Sequence, residues 1–249
     1  MYRLKYRHED EMKDSGIEWL GMIPKEWECG RIQQFFNVRT EKVSDKDYEP
    51  LSVTKNGVLK QLENVAKTNN GDNRKKVKKN DFVINSRADR KGSCGVSPFD
   101  GSVSLICHVL TPKSGIVPEY INHLFRNYYF SEEFFRWGTG IVDDLWSTNI
   151  DRMKKITIPI PMEQEKIANF LDIKTAQFDS IISKKEKLIE KLEEAKKSLI
   201  SEVVTGKVKI VDGQLVERKP EEMKDSGVEW LGMIPKDWEV KKLKYLVKI

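Results

Sequence analysis

The sequence contains few cysteines and histidines, and the ones it has are scattered. Among 249 residues there are three of each, with the cysteines at Cys29, Cys94 and Cys107. An odd, unclustered set of cysteines does not form a disulfide framework, and the spacing of these residues is not that of zinc ligands. We therefore predict no metal site, and a reducing cytoplasm as the compartment.

Long apolar segments are also missing. No uninterrupted apolar run approaches the ~20 residues that a membrane-spanning helix needs. The N-terminal sequence MYRLKYRHEDEMKDSG has basic residues but lacks the apolar stretch of a secretory signal. The sequence therefore predicts neither a membrane protein nor a secreted one.

Motifs for self-contained catalysis are absent as well. There is no Walker-type phosphate loop and no Gly-x-Gly-x-x-Gly loop after a strand. No Pro-Pro pair occurs, so the Asn/Asp-Pro-Pro-aromatic motif of amino-methyltransferases is missing. The Glu-x-Lys fragment at residues 217–219 lacks the upstream Pro-Asp that accompanies it in nucleases. We predict no catalytic residue and no bound cofactor in this chain.

Charge, by contrast, is plentiful. Charged residues make up 33% of the chain, against a usual value of about 25%. The net charge is only +5, from 44 basic and 39 acidic residues, so the distribution of charge along the chain carries the information. The excess favours a long solvated helix, a polyanionic partner, or both.

A long internal repeat defines the organisation of the chain. Residues 11–32 read EMKDSGIEWLGMIPKEWECGRI and residues 222–243 read EMKDSGVEWLGMIPKDWEVKKL, with 16 of 22 positions identical at an offset of 211. We call these segments clip 1 and clip 2. Such a period belongs to a whole domain and is far longer than a solenoid repeat. Apolar residues can anchor the clip, so a packing role is favoured over direct binding; they are Trp19, Leu20, Met22, Ile23 and Trp27.

The sequence between the clips begins with a mixed α/β pattern. LSVTKNGVL, with Asn56-Gly57, predicts a β-hairpin. DFVINS, SVSLICHVLTP and ITIPIP predict further strands, and VPEYINHLFRNYYFSEEFFRWG predicts a helix that ends at Gly138. We predict an α/β (mixed α+β) domain over residues 1–160.

A long helix is predicted next. From Glu163 to Val204 there is no glycine or proline, and apolar residues follow a heptad pattern interrupted by Lys174 and Lys185. A helix of this length needs a second helix along its seam, from this chain or a partner, although it can also lie along its own domain. The predicted pairing residues are Leu171, Phe178, Ile181, Leu188, Leu192 and Leu199.

Basic residues concentrate in RKKVKKNDFVINSRADRK at residues 74–91, which holds eight positive and two negative side chains. Lys and Arg neutralise phosphates, while Arg and Asn donate paired hydrogen bonds to purines. A solvated charge run is the alternative. Our candidates for phosphate contacts are Arg74, Lys75, Lys76, Arg90 and Lys91, and our candidates for base readout are Asn85, Arg87 and Asn149.

Two further segments complete the candidate DNA-binding set. The loop GTGIVDDLWSTNIDR offers Thr139, Trp146 and Asn149, and the hairpin turn offers Lys55 and Asn56. The alternative for the loop is an ordinary connection with Trp146 tucked into the core.

These features together resemble the specificity subunits of Type I restriction–modification enzymes. The most specific stretch is IPIPMEQEKIANFLDIKTAQFDSII, supported by DFVINSRADRKGSCGVS and by the two clips, and the resemblance covers residues 11–249. The residues that match the family's strand exit and spacer helix are Pro159, Pro161, Glu163, Gln164, Ile167, Leu171 and Asp172.

The resemblance implies a DNA-reading role without catalysis. Members have two target-recognition domains, each reading half of a split site, and two spacer helices that pair antiparallel. Methyltransferase subunits bind around the helices, and a separate restriction subunit cuts DNA. Here it implies one recognition domain (residues 1–160), one spacer helix (161–206) and the start of a second unit (207–249).

Because only one spacer helix is complete, we expect a homodimer through that helix. Two hypotheses from other classes remain open. One is a DNA nuclease with an unrecognised site. The other is a fragment or decoy that only captures methyltransferase subunits.

Overall fold

The computed structural model describes residues 6–61, 71–140 and 146–246, and the chain divides into two compact units, residues 1–174 and 175–249. The first unit mixes small antiparallel sheets with helices, and a long helix runs from it into the second unit. This architecture confirms the predicted fold class. The three-part domain division stays a prediction.

The first unit contains thirteen strands among its described residues. They are β1 (Met12–Asp14), β2 (Met22–Pro24), β3 (Glu28–Arg31), β4 (Phe36–Val38), β5 (Lys42–Val43), β6 (Leu51–Thr54), β7 (Gly57–Lys60), β8 (Arg74–Val77), β9 (Phe82–Asn85), β10 (Cys94–Val96), β11 (Gly101–Val103), β12 (Cys107–Pro112) and β13 (Thr157–Ile160). Its sheets have the orders β10-β9-β12-β4, β11-β8-β5, β6-β7, β13-β3 and β1-β2. Its helices are α1 (Ile32–Phe35), α2 (Pro118–Arg126), α3 (Tyr128–Arg136), α4 (Ile150–Met153) and the start of α5 (Gln164–Val204).

Strand β9 lies between two hydrophobic clusters. Phe82 and Ile84 belong to the larger cluster, while Val83 belongs to the smaller one. Successive side chains of a strand point to opposite faces, so a continuous apolar run is what a strand buried on both faces requires. The larger cluster is aromatic, with the ring centroids of Phe125 and Phe130 stacked 4.3 Å apart.

The predicted helix over residues 117–138 is two helices, α2 and α3. Asn127 separates them in an extended conformation (φ −63°, ψ 143°), and its side chain accepts a hydrogen bond from the Tyr129 backbone N–H at 2.7 Å. Asparagine is a favoured N-cap because its side chain competes with the helical hydrogen-bond ladder. The break turns α3 back, so that Phe130 packs against Phe125 of α2.

The predicted hairpin is confirmed, with its turn one residue earlier than expected. Thr54 pairs with Gly57, so Lys55 and Asn56 form the tip. The Thr54 hydroxyl donates to the Gly57 carbonyl at 3.0 Å and accepts from the Asn56 N–H at 3.1 Å. Gly57 has φ +110°, a conformation that glycine adopts without strain.

The two clips adopt the same hairpin. In clip 1, β1 pairs with β2 through Met12↔Pro24; in clip 2, β16 (Met223–Asp225) pairs with β17 (Met233–Pro235) through Met223↔Pro235. The local hydrogen bonds are the same too, since the backbone N–H groups of Ser15 and Ser226 donate to equivalent glycine carbonyls at 3.0 Å. The repeated sequence is therefore sufficient to specify its own local structure.

The surroundings of the clips differ. The Trp19 indole packs edge-on to Phe130 and donates to the Thr157 carbonyl at 3.2 Å. The Trp27 indole donates to Glu163 at 3.3 Å. Trp230, the counterpart of Trp19, is 81% exposed. In the first unit clip 1 therefore packs against α3, β13 and Glu163, the residue that precedes α5, and these contacts support the packing role.

Helix α5 is fixed at its start by a buried glutamine. Gln164 accepts a hydrogen bond from the Val117 N–H and donates one to the Gly115 carbonyl, both at 3.0 Å. The helix ends before Gly206, which has φ +74°, a common C-terminal arrangement. These bounds agree with the predicted helix to within one residue at its start.

The second unit holds the rest of α5, a hairpin of β14 (Val208–Val211) and β15 (Gln214–Glu217), and clip 2. Five of the predicted pairing residues lie in this part of α5 and are between 44% and 60% exposed; they are Phe178, Ile181, Leu188, Leu192 and Leu199. Leu171, in the first unit, is half-buried. None of the described helices is long and apolar enough to cross a membrane.

Candidate nucleic-acid interface

Several of the predicted DNA-binding residues meet around the turn that follows β9. Arg87 forms a β-bridge with Ser147, and Ser147 forms one with Thr139. The Thr139 and Ser147 backbones exchange hydrogen bonds of 2.9 and 3.1 Å. Arg87 therefore lies beside Thr139 and Ser147, which are far from it in the sequence.

Two more backbone hydrogen bonds fasten this arrangement. The Ala88 N–H donates to the Trp146 carbonyl at 2.9 Å, and the Thr148 N–H donates to the Ser86 carbonyl at 3.0 Å. Residues 86–88 and 146–148 thus form one patch. The central part of the second predicted loop, residues 141–145, lies outside the described residues.

The tip of the β6–β7 hairpin adjoins this patch. The Lys55 side chain passes beside Gly92, where an added Cβ would lie 4.0 Å from the Lys55 Cγ. Arg126 Nη2 donates to the Lys55 carbonyl at 2.8 Å and holds the tip against the end of α2. Lys55 and Asn56 are both exposed, so they extend the patch on the side of residues 90–92.

Basic side chains line this surface and have acidic neighbours. The Arg90, Lys91 and Arg87 side chains are 67%, 43% and 41% exposed. Asp89 lies 3.8 Å from Arg87 and 3.5 Å from Arg90, and Glu132 lies 2.5 Å from Lys91. Exposed ion pairs of this kind contribute about 0–1 kcal/mol, so a phosphate can replace the carboxylates at little cost.

The first part of the basic run is placed differently, on β8. Arg74 is buried, with its guanidinium donating to the Ser102 hydroxyl at 2.9 Å and the Ser102 carbonyl at 3.1 Å. Lys75 is partly buried and donates to the Cys107 carbonyl at 2.6 Å. Burial lowers the pKa of both groups.

Lys76 also has protein partners: its Nζ lies 2.8 Å from Glu41 Oε1 and 4.8 Å from the centre of the Tyr48 ring. The side chains of residues 74–76, which were predicted to contact phosphates, therefore bind protein groups in this structure. For Arg74 in particular, burial places the guanidinium away from a DNA backbone.

Two other residues that were predicted to contact DNA, Asn85 and Trp146, make hydrogen bonds within the protein. Asn85 is buried, and its side-chain oxygen accepts a hydrogen bond from the Arg87 N–H at 3.1 Å. The Trp146 indole donates to the Phe135 carbonyl at 2.9 Å and covers Gly138, as the alternative of a tucked tryptophan describes. Asn149 is exposed and caps α4 by accepting from the Asp151 N–H at 2.7 Å.

Sequence reasoning missed His108. This buried side chain lies on β12, and its Nε2 is 2.7 Å from the Thr148 carbonyl. Because a carbonyl oxygen only accepts, Nε2 carries the hydrogen. Burial lowers the pKa of His108, which favours the neutral ring. No local motif marks it, since its partner is forty positions away.

Among residues 6–61, 71–140 and 146–246, no group of three or more His, Cys, Asp or Glu side chains is arranged to hold a metal ion. Burial raises the pKa of the Cys94 and Cys107 thiols to about 12. Both thiols are therefore protonated at neutral pH and are poor nucleophiles.

Comparison with known sequences finds matches in one family. The sequence model described as the Type I restriction modification DNA specificity domain matches residues 24–194. The chain is 26% identical over 264 residues to the Type I restriction enzyme MjaIX specificity subunit of Methanocaldococcus jannaschii, covering all of this chain and 57% of that protein. It is 24% identical over 269 residues to the putative MjaX specificity subunit of the same organism, covering 96% of this chain and 56% of that protein.

A third relative, from a bacterium, matches a shorter region. The StySPI specificity subunit of Salmonella potsdam is 29% identical over 143 residues, which cover 53% of this chain and 29% of that protein. The chain thus spans little more than half the length of the two Methanocaldococcus relatives and less than a third of the Salmonella one.

A solved structure gives the same fold. A chain from a structure on complex assembly and conformational transition of the type I R-M system superimposes with a TM-score of 0.54 and 13% identity, covering 78% of this chain and 48% of that chain. At this identity the likeness concerns the fold alone.

Proposed function

The chain belongs to the family of Type I restriction–modification DNA specificity domains, and on that premise we propose that it reads one part of a split DNA site for a larger methyltransferase and restriction complex. Its own role in this proposal is recognition without catalysis, in the cytoplasm. The DNA-contacting surface is the patch around residues 86–92, 139 and 147 together with the hairpin tip at Lys55 and Asn56.

One observation carries the proposal. Exposed cationic and hydrogen-bonding side chains from four separated segments converge on one patch whose backbone is fixed by reciprocal hydrogen bonds. Phosphate contacts position a protein on DNA, while rigidly held donors read base edges. Arg87, Arg90 and Lys91 supply the charge, and Asn56, Thr139 and Asn149 supply neutral polar groups.

The direct experiment is selection from a pool of random duplexes with the purified full-length chain. We expect one short sequence to be enriched over many rounds. Binding that depends on salt but selects no sequence would contradict the readout role. Capture of methyltransferase subunits without sequence-dependent DNA binding would favour the decoy hypothesis.

The partner subunits are the second part of the proposal. Curated relatives of this chain are specificity subunits of Type I restriction enzymes, and we extend to this chain an assembly with methyltransferase and restriction subunits. The isolated chain should neither methylate nor cleave DNA, with or without S-adenosylmethionine, ATP or Mg²⁺. Activity in a preparation free of other subunits would favour the nuclease hypothesis.

We also propose that the chain forms a homodimer through α5. The exposed stripe of Phe178, Ile181, Leu188, Leu192 and Leu199 supports this proposal, because each buried Leu contributes roughly 1.5–3 kcal/mol. A two-fold dimer presents the same recognition domain twice, in opposite directions. The bound DNA would then be an interrupted palindrome.

The dimer is tested by paired substitutions on opposite faces of α5. Leu188→Glu with Leu192→Glu should give a 29 kDa monomer by light scattering at micromolar concentration. The control is Ser183→Glu with Ser201→Glu, which adds the same charge about 140–180° away around the helix at 100° per residue. A monomeric wild type, or equal dissociation by both pairs, would contradict pairing through the stripe.

A further inference from the structure

Two buried polar side chains, one on each face of the same sheet, hydrogen-bond to the backbone of the DNA-contacting patch. Asn85 at the end of β9 and His108 on β12 are both buried. They occupy neighbouring strands, since Asn85 pairs with Cys107 in the β9–β12 register. Buried polar groups are costly unless they are hydrogen-bonded, so the hydrogen-bond partners of these two side chains indicate what each of them does.

His108 holds residues 146–149. Its Nε2–H donates to the Thr148 carbonyl at 2.7 Å. The Thr148 hydroxyl in turn donates to the Phe134 carbonyl at 2.7 Å. The segment that carries Ser147 and Asn149 is therefore tied to β12 on one side and to α3 on the other.

Asn85 holds the other half of the patch. Its side-chain oxygen accepts from the Arg87 N–H, and the Ser86 N–H donates to the Ile106 carbonyl at 3.3 Å. The backbone of Arg87 is thus set by a buried side chain two residues earlier. Both buried side chains hydrogen-bond to backbone atoms, and both hydrogen bonds end at the segments that present exposed side chains.

We propose that His108 is a positioning residue for sequence readout, acting with Asn85 to fix the relative placement of Arg87 and residues 147–149. This inference rests on the proposed DNA-binding function and deepens it. Base readout requires donors held within about 0.5 Å of their productive position. A buried donor that fixes one half of the patch against the other therefore controls discrimination between sequences more than total affinity.

The variants separate the hydrogen bond from the bulk of the ring. His108→Gln places an amide N–H close to the position of Nε2, and His108→Met removes the donor while filling similar space. Ile158→Val, in the buried strand β13, is the control for destabilisation remote from the patch. If His108→Met does not fold, His108→Asn replaces it, because its shorter side chain does not reach the Thr148 carbonyl.

Each purified full-length variant is subjected to selection from the random duplex pool. We expect the discrimination of His108→Met to fall roughly tenfold at one or two base positions, with binding to unselected duplexes unchanged. His108→Gln and Ile158→Val should enrich the wild-type sequence.

A His108→Met variant that keeps the wild-type discrimination would overturn the positioning role and leave the proposed function intact. Equal losses in His108→Met and Ile158→Val would also overturn it, because general destabilisation would then explain both. A wild type that selects no sequence overturns the proposed function, and this inference with it.

Discussion

The two ends of the basic run, residues 74–76 and residues 87–91, have the same kind of sequence and opposite surroundings. On β8, Arg74 and Lys75 donate to protein oxygens and are buried or partly buried. In the turn after β9, Arg90 and Lys91 are exposed and have surface carboxylates as neighbours. Consecutive basic residues in a sequence therefore do not always form a positively charged surface in the folded protein.

The difference follows from the elements that carry the residues. Alternate side chains of a strand point to opposite faces. Strand β8 is the middle strand of its sheet and neither face is fully exposed, so basic residues on both faces bind protein oxygens. Residues 88–90 form a single 3-10 turn, in which Ala88 packs against the large hydrophobic cluster while Asp89 and Arg90 are exposed. A high density of basic residues in the sequence therefore predicts a polyanionic partner only where those residues lie in exposed turns.

The largest effect expected from this difference is on stability. Arg74→Ala should lower the free energy of unfolding by about 2–4 kcal/mol, because it leaves a cavity and removes the buried donor of the Ser102 oxygens. Arg90→Ala should change it by less than about 0.5 kcal/mol, as an exposed substitution does. Urea denaturation of both variants checks this; equal values would remove the distinction between the two ends.

DNA affinity should show the opposite ranking. Arg87→Ala should cost roughly 1–3 kcal/mol on the selected sequence and relax preference at one base position. Lys76→Ala removes a cation already paired with Glu41 and should leave the preference unchanged. Competition binding with selected and scrambled duplexes measures both, and a uniform decrease in affinity for Arg87→Ala would make it a backbone contact.

The salt dependence of binding sharpens the comparison further. Replacing Arg90 and Lys91 by Gln should reduce the slope of log K against log salt by about 0.9 for each phosphate that the protein no longer neutralises. Replacing Lys75 and Lys76 by Gln should leave the slope unchanged. A smaller slope in the β8 pair would mean that these lysines leave their protein partners to reach DNA.

The sequence was a good guide where structure is local or strongly periodic. The β6–β7 hairpin, the long helix α5 and the clip as a packing unit were all predictable, because turn chemistry, a heptad pattern and a near-identical repeat specify them. The break at Asn127 was not, since a side-chain cap overrides a continuous helical pattern.

The candidate site was predictable only in part. Exposed residues in turns, such as Arg90 and Asn56, were identified from composition. The hydrogen bond of His108 was not, because it depends on which segments are neighbours in the fold. The local hydrogen bond of Asn85 was not identified either, because the burial that turns this side chain towards the Arg87 N–H depends on the surrounding sheet. A partner forty residues away, as Thr148 is for His108, leaves no trace in local sequence.

The smallest effect should be a pH dependence of stability that arises from the buried side chain of His108. Burial and the nearby Lys75 charge lower the pKa of His108 in the folded chain, whereas in the unfolded chain histidine titrates near 6.5. The unfolded state therefore binds more protons than the folded state below pH 6.5, and stability falls as pH decreases through that range, by at most about 1.4 kcal/mol per pH unit. The wild type should lose up to about 0.4 kcal/mol more than His108→Gln between pH 6.5 and pH 6, because glutamine does not titrate, all other groups are shared, and the unfolded histidine is only partly protonated in this range. Urea denaturation at the two pH values gives this difference. Identical losses in the two proteins would mean that the His108 ring takes up a proton as easily in the folded chain as in the unfolded one. That result would contradict the lowered pKa of His108.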